Sequence, residues 1–212
     1  MRYNRRPIRP RRNTMKNTLL LALALFGASA FAQPAPAPMR LRGTLEKIDP
    51  ATMVIKERNG ETMTLAIADT FTVSEVLPVD PSAIQSGAFV GTAAVTGADG
   101  TLSALEVLVF PEAARGTGEG HSPWDLQPGS TMTNATVTNV AAGAKGRTMT
   151  LRYKDGEKTI LVPEGIPVVT IKPADRSILV PGAKVFVFAQ MRNGQPTALR
   201  ATAGRNGFAP PM

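Results

Sequence analysis

The chain has 212 residues, 43% of them hydrophobic and 5% aromatic, with no cysteine and a formal net charge of +8. A chain without cysteine has no disulfides, no thiolate metal sites and no lipid-modified cysteine, and this length allows one or two small domains. The charge is local: Arg2, Arg5, Arg6, Arg9, Arg11, Arg12 and Lys16 precede residue 33 with no acid among them, which leaves 17 basic against 16 acidic side chains beyond. A remainder so nearly balanced lacks the net attraction that draws proteins to phosphate backbones, so no nucleic-acid partner is expected.

Residues 1–32 read as a cleaved signal peptide: basic residues, the apolar run Leu19–Phe26, then small residues ending Ala30-Phe31-Ala32. The expected destination is the periplasm by general secretion. Twin-arginine export, suggested by Arg11-Arg12, is the alternative, although Thr14 stands where that signal has an apolar residue. Either Met1 or Met15 can serve as the start. Beyond the leader no apolar run reaches membrane-spanning length, so no membrane span is expected in the mature chain.

Residues 33–38, QPAPAP, form a Pro/Ala spacer. Short strand signals then dominate. Met63, Leu65 and Ile67 alternate with polar or small residues, and Asn59-Gly60 just before them predicts a type I′ hairpin turn. Met149, Leu151 and Tyr153 alternate likewise, with the turn assigned to Asp155-Gly156. Met53, Asn59, Gly60, Glu61 and Leu65 match Met149, Asp155, Gly156, Glu157 and Leu161 at a constant offset. Later matches, Gly87 with Gly182 and Ala104-Leu105 with Ala198-Leu199, drift only slightly, which points to an internal duplication.

Each copy reads as three strands, a Pro-led helical turn (Asp80–Gly87 and Pro173–Gly182), then two strands, the order of the OB-fold. The expected fold class is therefore all-β: two tandem small OB-like Greek-key barrels, residues 39–110 and 135–204, with a tail at 205–212. Leu41, Leu45, Leu65, Leu105, Val107 and Val109 are expected inward in the first, and Val137, Leu151, Ile160, Val185, Val187 and Leu199 in the second. An ordered Gly/Pro-rich connector, residues 111–134, joins them.

The connector holds the only His and the only Trp. Arg115, His121, Trp124 and Asp125 are the candidate ligand contacts, and the expected function is a non-enzymatic binding module for an envelope protein or small ligand, with no cofactor. His121-Ser122-Pro123-Trp124-Asp125 contains the residue types of a hydrolase triad, but adjacent residues of an extended chain project apart and no nucleophile elbow accompanies them. A copper-type metal site could use His121 with Met132; one His without Cys is a thin donor set for zinc.

The pieces RGTLEK (Arg42–Lys47), FPEAARGTGEGH (Phe110–His121), PWDLQPGSTMTNATV (Pro123–Val137), YKDGEK (Tyr153–Lys158) and the final PPM resemble a family of exported proteobacterial proteins of unknown function. The resemblance covers residues 40–212 and implies two OB-like β repeats with no established catalytic residue. Some members carry automated labels as metal-transporter permeases, a role that a chain without a mature membrane span cannot fill as a permease.

Overall fold

In the computed structural model of the chain, Met1 and residues 38–212 are described; the signal peptide and most of the Pro/Ala spacer lie outside them. Residues 38–212 belong to one compact unit. It is all-β, and no helix among the described residues is long and apolar enough to cross a membrane.

The strands are β1 (Met39–Ile48), β2 (Thr52–Glu57), β3 (Thr62–Pro78), β4 (Phe89–Thr96), β5 (Leu102–Ala104), β6 (Val107–Val109), β7 (Gly120–Pro123), β8 (Ser130–Gly143), β9 (Gly146–Tyr153), β10 (Gly156–Val162), β11 (Val168–Pro173), β12 (Lys184–Arg192) and β13 (Gln195–Ala203). Single 3-10 turns at Pro81–Ala83 and Arg176–Ile178 stand where the Pro-led pieces predicted helical turns. Each is capped by an aspartate, Asp80 or Asp175, accepting from the N–H two residues on.

Strands β1, β2, β3, β13 and β12 close a five-stranded barrel: neighbours pair antiparallel except β3 with β13, which run parallel. Its interior is the alternate residues that the period-two pattern selects, Leu41, Leu45, Met53, Ile55, Leu65, Val185 and Val187 among them, with Ile178 and Leu179 packed into the same cluster. A second circuit of pairings runs β8–β9–β10–β5–β4 and back to β8, again with one parallel pair, β5 with β10. Val90, Val137, Met149, Leu151 and Ile160 fill it.

These pairings depart from the expected tandem order, in which 39–110 and 135–204 each close on themselves. The hairpin β12–β13 closes the barrel begun by β1–β3, and β4–β5 join β8–β10. The physical reason lies in β3, which runs on past residue 70 to Pro78 and pairs antiparallel with β11 through Val76↔Ile171. The chain that follows is thereby delivered to the other circuit, and all thirteen strands join one hydrogen-bonded network.

Three smaller expectations are also corrected. At Asn59-Gly60 only Gly60 has a positive φ, 92°, so the turn is not type I′; that geometry occurs at Asn193-Gly194, with φ 49° and 77°. The β9–β10 turn is centred on Lys154-Asp155, and Gly156 already pairs with Tyr153. Ile160 is buried as expected, and it, not the sequence match Leu161, is the structural counterpart of Leu65: Ile160 faces Met149 as Leu65 faces Met53. Leu105 and Leu199 are only half-buried, because the ladders slip by one residue beside them. In β4 the register changes between Gly91↔Leu108 and Ala94↔Ala104, and the slip turns Glu106 inward, leaving it 1% exposed.

Gly43 is required by close approach: a Cβ there would overlap the Lys56 carbonyl of the neighbouring strand. Gly43→Ala is expected to lower stability by about 1–3 kcal/mol, the usual cost of overpacking a rigid site, as a shift in the denaturant midpoint at unchanged m-value. An unchanged midpoint would show that β1 and β2 can separate there freely.

Candidate functional site

The connector is built by local hydrogen bonds. Arg115 donates to both oxygens of Glu112, at 2.6 and 2.7 Å, and to the Gly87 carbonyl at 2.9 Å, so it fastens the connector to the chain before β4. Residues 120–123 then form β7, an edge strand on β8. Ser130–Asn134, expected to be connector, already belong to β8. The turn between them is pinned at its ends: the Trp124 N–H donates to the Ser130 carbonyl at 2.8 Å, and the Ser130 hydroxyl lies 2.7 Å from the Gln127 carbonyl and 3.0 Å from that of Trp124.

That turn carries Trp124 and Asp125 onto the outer face of the barrel. Arg40 and Arg42 share one phase of β1, and Phe186 and Phe188 share the facing phase of β12, in register Arg42↔Phe186 and Arg40↔Phe188. Beyond them Phe188 faces Arg200 of β13. The Arg40 guanidinium stands 4.2 Å from the centroid of the Trp124 ring, that of Arg42 4.8 Å from Phe186, and that of Arg200 3.8 Å from Phe188. Trp124 meets Phe186 edge-on at 6.4 Å. Asp125 accepts from Arg42 at 2.8 Å and pairs with Arg40 at 3.5 Å.

This arginine–aromatic ladder is the best-built polar feature near the connector, and sequence reasoning found only two of its members. Arg40 and Arg42 at i, i+2 were a usable signal. Phe186 and Phe188 were masked, because Val-Phe-Val-Phe is apolar on both phases and reads as a doubly buried strand.

His121 lies elsewhere. Its Nδ1 is 2.8 Å from the Thr133 hydroxyl, its ring stacks at 6.5 Å on Tyr153, and it lines an open polar groove of about 430 Å³ with Glu119 and Asp155. Burial, reinforced by the Lys158 charge, pushes its pKa down, which favours the neutral ring. Ser122 follows it on an extended strand, and Asp125 is held by arginines instead of by the imidazole. Met132 sits opposite Ser122 and Thr133 opposite His121, so alternation sends the Met132 and His121 side chains to different faces. Among the described residues no group of three or more His, Cys, Asp or Glu is placed to hold a metal ion. The structure thus joins Trp124 with Asp125 and separates both from His121 and Arg115.

No family model, no curated protein and no solved structure matches the chain.

Proposed function

We propose that the chain is an exported periplasmic binding module without catalytic activity, made of a duplicated OB-like unit whose two copies have exchanged their closing hairpins, and that it binds its partner where the connector crosses the barrel. The leader supports export. The duplication is supported by the two pairing circuits, which share their strand order and parallel pair, and by the bulges at Leu45/Lys47 and Val137/Asn139, which fall at matching places. The permease and metal-handling readings draw no support from the donor set around His121, and the triad reading none from the positions of Ser122 and Asp125.

The observation that carries the binding reading is the half-exposed Trp124, fixed over the two β1 arginines by a turn with its own internal bonds. Loops held on a rigid sheet are where recognition residues concentrate, and Trp and Arg are among the residue types enriched at interface hot spots. Paired baits, the intact protein and Trp124→Ala, tested against an envelope extract, are expected to recover a component that only the intact protein retains. Identical recovery by both would remove Trp124 from the contact surface.

A further inference from the structure

We propose that Arg200 and Arg40, on either side of Phe188, form a recognition site for an oxyanion, a carboxylate or phosphate group carried by the ligand. The inference rests on the reading of the connector region as the binding surface and specifies the chemistry recognised there.

The outer phase of β12, β1 and β13 presents Lys184, Arg40, Arg42 and Arg200 on one face. Lys184 is engaged with the Thr44 hydroxyl at 2.8 Å. Among the described residues the side-chain carboxylate paired with these arginines is Asp125. Arg42 is nearly covered, its side chain 9% exposed, and it is committed to Asp125 and to the Met212 main-chain oxygen, both at 2.8 Å. Arg40 holds Asp125 only at 3.5 Å, and its buried Nε has no hydrogen-bond partner among the described residues.

Arg200 is exposed and has no ion-pair partner among the described residues. Its guanidinium stands 3.8 Å from the centroid of the Phe188 ring, and Arg40 is in register with Phe188 on the other side, so the two like charges flank one residue of β12. A sheet that holds like charges together on stacked rings carries a repulsion that a bound anion removes. Planar guanidiniums with unspent donors match the paired oxygens of a carboxylate or phosphate.

Trp124 supplies the readout, being the only tryptophan and 4.2 Å from the Arg40 guanidinium. The full protein is titrated at constant ionic strength with inorganic phosphate in one arm and succinate in the other, while indole emission is followed. A saturable change is expected in at least one arm, and which arm responds identifies the group. Arg200→Gln and Arg40→Gln, each checked for an unchanged thermal midpoint, are expected to weaken the response about tenfold, the loss of one charge-assisted contact. Arg152→Gln, on β9, leaves it unchanged. No saturable change with either anion, or equal affinity in Arg200→Gln, overturns the site. A Trp124-dependent partner found alongside that result would leave the broader binding reading standing, and loss of both would remove the two together.

Discussion

A chain cleaved once between Gly116 and Thr117 is expected to remain a single particle of full mass under native conditions and to separate into two fragments only in denaturant. Both residues are exposed, so a protease site inserted there is reachable. The N-terminal fragment would contain β1–β3 and the C-terminal one β12–β13, which together enclose one core. Drawing them apart exposes Leu41, Leu45, Met53, Ile55, Leu65, Val185 and Val187, all of them at most 3% accessible in the intact chain. At about 1.5–3 kcal/mol per large aliphatic side chain, that costs on the order of 10–20 kcal/mol before the second core is counted. Light scattering on the cleaved protein tests it. Two tandem barrels would give two smaller species on dilution, and that result would refute the exchanged hairpins.

Replacing Glu106 by glutamine is expected to stabilise the protein most at alkaline pH and least near pH 4.5. Glu106 accepts the Ala93 N–H at 3.0 Å through one oxygen, and its other oxygen is buried without a partner among the described residues. Burial pushes its pKa from 4.5 up to about 8, against which the Ala93 hydrogen bond and the more distant Arg42 charge act weakly. Between those values the folded protein keeps a proton that the unfolded chain has released. Stability contributed by this group is therefore complete below about pH 4.5 and falls by about 1.4 kcal/mol per pH unit as the pH rises towards 8. The accumulated loss is on the order of 5 kcal/mol. Glutamine preserves the acceptor for Ala93 and cannot ionise, so the difference in unfolding free energy between variant and parent should widen steadily from pH 5 to pH 8. Parallel curves would mean that water reaches the carboxyl. Glu106→Leu separates the two contributions: it also removes the slope, but leaves the Ala93 N–H unpaired at a cost of about 1–3 kcal/mol.

The bulge that buries Glu106 shows where legibility in the sequence stops. Strict alternation through Leu105, Glu106 and Val107 places the acid in solvent. One slipped residue opposite Ala93 reverses that, and a slip is set by what the neighbouring strand offers, not by the residues that slip. The same limit applies to the connector. Trp124 was recognisable as an anchor from its singularity in a Gly/Pro-rich stretch, but Arg40 is 84 positions away in the chain and Arg200 another 160 beyond Arg40, and no local pattern couples them.

What the sequence by itself determined is most of the strands outside the connector, the placing of the capped turns at Pro81 and Arg176, and most of the inward residues. Those depend on side-chain period, β-branching and the special conformations of Gly, Pro and Asp, which act over a few neighbours. Only the tertiary structure decided which hairpin closes which barrel. The pattern specifies the face a strand buries and is silent on its partner, and β4–β5 and β12–β13 are both antiparallel hairpins. The choice fell to the course of β3, which runs on past its bend to meet β11 and carries the chain into the other circuit.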